Sequence, residues 1–173
     1  AYDWKSGWMP AAAGFVALVA LRFGRLAPIM AVIAAIPAFQ ATTSAILTDG
    51  YSYSTRLDAW TIVLQIVKVN PITGLGPANY YWYTPLFPIR GYAVNFNSHS
   101  QYVDIVAQTG ILGLILFFVF IWQVTKLAWS LRNRVPEGFA KGYVYSVLGG
   151  LAGSLVASWL GDWLLTFVYN VGL

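Results

Sequence analysis

The sequence predicts an all-α protein, a polytopic bundle of transmembrane helices, and two features of its composition support this prediction. Of the 173 residues, 58% are hydrophobic and only 9% are charged, whereas soluble domains carry about 25% charged residues. A soluble domain of this size must expose much of its surface to water. With so few charged residues, apolar side chains would be left in contact with solvent. A lipid bilayer removes this conflict. The aromatic content of 17%, with eight tryptophans, fits rings placed at membrane–water boundaries.

Two predicted transmembrane helices occupy residues 6–47. The apolar run 8–21 is short for a span, which needs about 20 residues, so its helix is expected to begin nearer Ser6. The second run, 26–47, contains no charged residue and is long enough to cross a bilayer. Pro37 lies inside that run and is expected to kink the helix.

Two further transmembrane helices are predicted in residues 110–173. The third apolar run is 111–129, and the fourth, 142–161, has small residues at four-residue spacing, which lets another helix approach closely. The last stretch, 163–173, is too short to cross a bilayer as a helix, so we expect a truncated or re-entrant end. Residues 1–173 are expected to form a single membrane domain that is a fragment, the C-terminal portion, of a larger protein.

The orientation follows from lysines and arginines in the short connections, because these residues concentrate on the cytoplasmic side of a membrane. Of the ten basic residues, six lie in the connections 22–25 and 126–141: Arg22, Arg25, Lys126, Arg132, Arg134 and Lys141. Four alternating spans place both connections on the same side. Residues 48–109 are therefore predicted to face the periplasm or the cell exterior.

The outer segment, residues 48–109, is predicted to contain two short helices. The first is expected to start near Ser54 and to end before Pro71, which restricts the residue preceding it. Glycine and proline residues at 71–77 then indicate a tight turn. The four consecutive aromatic residues at 80–83 are typical of an anchor at the membrane interface.

The second outer helix is expected to start at Ser98, where Gln101 completes a capping box, and to break at Gly110. His99 would then lie just inside the helix, where the positive end of the helix dipole favours the neutral imidazole. A neutral imidazole is what a general base at neutral pH requires. The alternative, that His99 is an ordinary residue of the capping turn, stays open at this point.

Arg56 is the second candidate site residue. It would lie in the first turn of the first outer helix, where the dipole disfavours a cation unless an anion binds there as well. Together with a neutral histidine on the next helix, it suggests an anionic substrate whose reaction removes a proton. The equally open alternative is that Arg56 contacts Asp58 or lipid headgroups.

The sequence offers little for a metal or a cofactor. Cysteine is absent and histidine occurs once, and one histidine with scattered aspartates makes a poor metal site. The Gly-Leu-Gly at 74–76 lacks the spacing of a nucleotide-binding loop. We therefore expect no metal and no cofactor.

Four motifs follow one another along the chain: Arg-x-x-x-Trp at 56–60, Asn-Pro-Ile-Thr-Gly-Leu-Gly-Pro-x-Asn-Tyr at 70–80, Asn-Ser-His-Ser-Gln-Tyr at 97–102 and Gln-Thr-Gly-Ile-Leu-Gly at 108–113. The last motif leads into a span. Their order and spacing resemble those of the O-antigen ligase and O-antigen polymerase superfamily.

The resemblance implies a GT-C-like, metal-independent inverting glycosyltransferase of the bacterial inner membrane. Such an enzyme moves a glycan from an undecaprenyl diphosphate carrier to a hydroxyl of a glycan or glycolipid acceptor on the periplasmic face. His99 matches the catalytic histidine of the family and Arg56 its diphosphate-binding arginine. We take Arg90 and Lys68 as further candidates for binding the diphosphate. The expected partners are the lipid bilayer, these two substrates and other membrane subunits, and nucleic acid is not among them.

Two other functions remain open from the sequence. The chain could be a transporter or a transport-accessory protein, although the interiors of its apolar runs lack the charged residues that a transport path usually needs. It could also be a non-catalytic membrane subunit that packs against a larger assembly. Transfer of a labelled glycan from the lipid carrier separates the enzyme from both.

Overall fold

The computed structural model describes residues 5–23, 50–77 and 79–160. The helices are α1 (Lys5–Phe23), α2 (Gly50–Val67), α3 (Tyr80–Tyr83), α4 (Gln101–Leu131) and α5 (Phe139–Leu160), with a short 3₁₀ helix at Thr84–Leu86. An antiparallel bridge joins Ile89 and Tyr92. The predicted all-α class is confirmed for the described part of the chain. The predicted span 26–47 and the final stretch 163–173 lie outside it.

α4 is the helix that bears most directly on the membrane prediction. Among the described residues it alone is long and apolar enough to cross a bilayer by length and composition, with a mean hydropathy of 2.3 in its most apolar window. Residues Trp8–Arg22 form a shorter apolar helix. A bundle with several spans, and the periplasmic position of 48–109, stay predictions.

The chain divides into two compact units. Of the described residues, 5–23 and 119–157 belong to the first unit, and 50–77, 79–118 and 158–160 belong to the second. The first unit therefore contains α1, the later part of α4 and most of α5. The second contains α2, α3 and the early part of α4, and with them all four predicted site residues.

In the first unit, α1 and α5 pack closely because glycines face each other. An added Cβ on Gly14 would lie 3.0 Å from the Gly149 carbonyl oxygen, and one on Gly153 would lie 2.8 Å from the Pro10 carbonyl oxygen. The first distance is tighter than nine in ten real Cβ contacts and the second is one that real Cβ atoms essentially never show, so larger residues would force the helices apart. The small-residue spacing of α5, which predicted the close approach of another helix, is used by α1.

The second unit has its own apolar core, which α2, α3 and the early part of α4 build together. Its buried members are Val63, Ile66, Val67, Tyr80 and Ala107. Val63, Ile66 and Val67 recur at helical spacing on α2, which is why that face turns inward. The core holds the beginning of α4 against α2, and the predicted site residue His99 directly precedes α4.

α4 consists of two helical segments that meet at Gly110, where the backbone is not helical (φ 69°, ψ −172°). In an unbroken α-helix, the N–H groups of Ile111 and Leu112 would donate to the carbonyls of Ala107 and Gln108. The break removes both hydrogen bonds. Four backbone groups then need other partners, since unsatisfied buried groups are costly.

The loop at 71–76 supplies those partners. It makes four hydrogen bonds across the break: Leu75 N–H to Ala107 O (2.9 Å), Gly76 N–H to Gln108 O (3.0 Å), Ile111 N–H to Pro71 O (3.0 Å) and Leu112 N–H to Ile72 O (3.2 Å). Gly74 and Gly110 have positive φ angles of 72° and 69°, and a Cβ on either would overlap the backbone of the opposite segment. The predicted tight turn and the predicted helix break are therefore two halves of one structure.

Candidate functional site

His99 lies immediately before α4, in a left-handed backbone conformation (φ 50°), with its side chain exposed. Its predicted position inside the helix is wrong. The first helical hydrogen bond runs from the Asp104 N–H to the Ser100 carbonyl (3.0 Å), which makes Ser100 the N-cap residue and Gln101 the first helical residue. The imidazole therefore lies outside the helix, and the predicted effect of the helix dipole on it has no structural basis.

The turn that carries His99 is closed by the side chain on its N-terminal side. Ser98 Oγ accepts a hydrogen bond from the Ser100 N–H (3.1 Å), as in other turns in which a serine bonds to the backbone two residues on. Ser98 and Ser100 are buried, whereas His99 between them is exposed. A left-handed conformation costs an L-residue about 1–2 kcal/mol, so surrounding contacts must hold it.

Those contacts converge on Ser98. Its N–H donates to Tyr80 Oη (3.2 Å), and its carbonyl accepts from the Trp60 indole N–H (2.6 Å). Its hydroxyl donates to Asp104 Oδ1 (2.6 Å). Every polar group of the residue preceding His99 is thus tied to another element, with Trp60 on α2, Tyr80 on α3 and Asp104 on α4.

Tyr80 and Asp104 form the centre of this network. The Tyr80 hydroxyl donates to Asp104 Oδ1 at 2.5 Å, and both side chains are fully buried. The interpretation of residues 80–83 as an interfacial anchor is therefore wrong for Tyr80, whereas Trp82 is 66% exposed. We define Trp60, Tyr80, Ser98 and Asp104 as the Ser98 network. The sequence carries one hint of it, because the first three members lie within the quoted motifs.

Arg56 does not lie at the start of its helix. α2 extends from Gly50, so Arg56 is beyond the first turn, and the predicted pairing of a cation with free N–H groups of the helix end is wrong. Its position relative to His99 is more informative. Arg56 and Trp60 are four residues apart, and such residues share one face of a helix. α2 therefore presents Arg56 one turn from the indole that binds the His99 turn.

Arg90 binds a different face of α2. Its Nε donates to Asp58 Oδ2 (3.3 Å), and its Nη2 donates to Ser54 Oγ. At 3.6 residues per turn, the face shared by Ser54 and Asp58 is about 200° around the helix from the face of Arg56 and Trp60. Arg90 is therefore bonded to the face of α2 that does not carry Arg56.

Lys68 follows Arg56 by twelve residues, lies past the C-terminal end of α2 and is exposed. Twelve residues of helix correspond to about 18 Å along the axis. Arg56 shares a face of α2 with Trp60, whose indole bonds to the His99 turn. Among the described residues, no group of three or more histidine or acidic side chains could hold a metal ion.

Comparison with known proteins bears on the same region. The family model described as O-antigen ligase matches residues 4–118, which is more than half of the chain and includes His99, Arg56 and the whole Ser98 network. The chain belongs to the O-antigen ligase family. No curated protein and no solved structure matches it. Membership makes the chain a bacterial membrane protein of glycosyltransferase type whose substrates include a lipid-linked glycan.

Proposed function

We propose that this O-antigen ligase family member moves a glycan from an undecaprenyl diphosphate carrier to an acceptor hydroxyl, with His99 as the general base. The observation that carries the proposal is the conformation of His99. An exposed imidazole is held at a positive φ by a buried network that uses every polar group of the preceding residue. Backbone strain that is maintained in this way concentrates at functional sites.

The proposed reaction is a single displacement. The acceptor oxygen bonds to the anomeric carbon of the glycan while the bond from that carbon to the diphosphate oxygen breaks, which inverts the configuration. The acceptor proton passes to the imidazole of His99, which acts as the base, and the bonding electrons leave with the diphosphate. The proposed reaction needs a base and a positive charge close to the leaving diphosphate, both of which side chains supply, so no metal or cofactor enters the proposal.

Arg56 is proposed to bind the diphosphate. A guanidinium forms paired, charge-assisted hydrogen bonds to phosphate oxygens and stabilises the charge that develops as the bond breaks. Its place on the face of α2 that contacts the His99 turn supports this role. Arg90 would have to leave Asp58 to take part, and Lys68 lies at the other end of the helix, so neither has comparable support.

The proposed reaction takes place on the outer side of the bacterial inner membrane. The distribution of lysine and arginine supports this side for residues 48–109. The apolar part of α4 begins after Gly110, so His99 would lie one short helical segment above the bilayer core. A lipid carrier presents its diphosphate at this level, where the lipid chain ends and water begins. Other membrane subunits remain proposed partners.

Replacement of His99 tests the proposal. In the protein in its native membrane, His99→Ala should lower transfer of a radiolabelled glycan from the lipid carrier by at least about 100-fold, the contribution of a positioned base. Asn95→Ala is the matched control, because Asn95 is an exposed polar residue of the same loop, and it should transfer at the parent rate. Full activity of the His99→Ala protein at normal abundance would end the proposal.

A further inference from the structure

We propose that the buried Tyr80–Asp104 pair is a positioning device that keeps His99 in its left-handed conformation and so aims the imidazole. The consequence for catalysis rests on the proposed function of His99. The claim about the backbone conformation of His99 depends only on the hydrogen bonds and the burial of the Ser98 network. Neither residue touches the substrate in this proposal, because both are fully buried.

The Tyr80 hydroxyl connects Asp104 to the backbone of the loop that carries His99. It donates its proton to Asp104 Oδ1 (2.5 Å) and accepts the Ser98 N–H (3.2 Å). One oxygen atom therefore connects the first turn of α4 to the backbone of Ser98, the residue that precedes His99. Removal of that oxygen breaks both connections while it leaves an aromatic ring in the apolar core.

Asp104 is suited to accept the hydrogen bonds of the positioning device. Its Oδ1 accepts two hydroxyl protons, from Tyr80 and from Ser98 (2.6 Å). Asp104 lies in the first turn of α4, where the helix dipole favours an acidic side chain. Hydrogen bonds to a carboxylate are stronger than those between neutral groups, and a buried hydroxyl that loses its acceptor is left unsatisfied.

The geometry explains why the restraint acts on His99 in particular. Ser98 is held at its N–H by Tyr80, at its carbonyl by Trp60 and at its hydroxyl by Asp104, and its hydroxyl in turn holds the Ser100 N–H (3.1 Å). The peptides on both sides of His99 are thus fixed. Because the peptides on both sides of His99 are fixed, its φ angle cannot relax to a negative value, and the backbone strain persists.

The conformational arm of the test uses glycine, which adopts a positive φ without strain. His99→Gly should raise the melting temperature of the parent protein more than that of the Tyr80→Phe protein, in which the turn is free to relax. The effect of glycine on the unfolded chain is the same in both backgrounds and cancels in this cycle. Equal gains in the two backgrounds would overturn the proposal, whatever His99 does chemically.

The catalytic arm compares two tyrosines of α3. Tyr80→Phe should lower kcat per folded molecule by at least about tenfold through misplacement of the base, with the KM for the lipid-linked glycan unchanged. Tyr83→Phe is the matched control, because Tyr83 is exposed on the same short helix. Asp104→Asn keeps an acceptor oxygen and should lose less activity than Asp104→Ala. Parent kcat for Tyr80→Phe would contradict a positioning role.

A double variant separates positioning from general support of the fold. If Tyr80 acts through His99, adding Tyr80→Phe to His99→Ala should leave the residual transfer rate unchanged. A further fall of the same size as in the parent would show a merely structural role. A His99→Ala protein with full activity would end the proposed function instead, and the melting temperatures would still decide the conformational claim.

Discussion

The interiors of the two units are stabilised by different kinds of interaction. In the first unit, the buried residues that form a cluster are Ala128, Val144 and Leu148, and glycines allow α1 and α5 to touch. Among the described residues, the buried polar and charged side chains all belong to the second unit: Thr84, Ser98, Ser100, Gln101, Asp104, Gln108 and Ser158.

The difference shows where a defined geometry is required. Apolar packing depends on shape and tolerates exchanges that conserve volume. A buried hydrogen-bond network tolerates few changes, because each group has a specific partner and loses stability without it. In this protein the buried hydrogen-bond network lies next to His99 and holds the residue that precedes it. The comparison predicts that substitutions in the Ser98 network, at His99 or at Arg56 change activity, whereas substitutions in the first unit change stability alone.

The largest expected effect is that of Gly74→Ala in the second unit. The added Cβ meets the backbone at residues 108–110 and the residue must keep φ at 72°, so strain and overlap together should cost about 4 kcal/mol. Thermal unfolding in detergent measures the loss. Gly91→Ala is the control, since its φ is 85° but nothing lies within 4 Å, and it should cost only about 1 kcal/mol. Similar losses in both would show that the loop does not fill the break.

The next effect concerns Arg56. Arg56→Ala should lower transfer by about 100-fold, or about 2.7 kcal/mol of transition-state stabilisation, without a matching loss of melting temperature. Glycan transfer in membranes and thermal unfolding are measured on the same preparation. Arg134→Ala removes an exposed cation of the first unit and should have no effect on transfer. An equal loss in both variants would indicate a dependence on net charge instead of a site.

A smaller effect is expected in the first unit, and in stability only. Gly153→Leu places a side chain where a Cβ would already lie 2.8 Å from the Pro10 carbonyl oxygen, at a cost of about 2 kcal/mol. Gly150→Leu is its counterpart on the open side of α5, where nothing lies within 4 Å. The rate of transfer per folded molecule should be unchanged in both. A fall in that rate for Gly153→Leu would break the contrast between the units.

The smallest effect is predicted for Lys68→Ala. At about 18 Å from Arg56 along α2, its charge lies well beyond the Debye length of about 8 Å at physiological salt. Transfer should change less than about twofold, and Arg56→Ala in the same assay provides the scale. A loss comparable to that of Arg56→Ala would restore Lys68 to the diphosphate site and show that the lipid carrier extends along the helix.

Structural features that depend on residues close together in the sequence were predictable. The helical class followed from composition, the break at Gly110 and the turn at 71–77 from glycine and proline, and the close packing of α5 from small residues at four-residue spacing. Each depends on backbone freedom or periodicity within a few positions. The exact helix starts were missed, since Gly50 and Gln101 carry no strong local signal.

The sequence alone predicted the segments that form the long helices α1, α2, α4 and α5, and it marked His99 and Arg56 as unusual. Only the tertiary structure decided that Tyr80 is buried, that Arg90 bonds to Asp58 on α2, and that Ser98 is held from three helices. The physical reason is distance along the chain. Trp60 and Ser98 are 38 residues apart and Tyr80 and Asp104 are 24 apart, so no local pattern contains either pair, and their hydrogen bonds exist only once α2, α3 and α4 have packed.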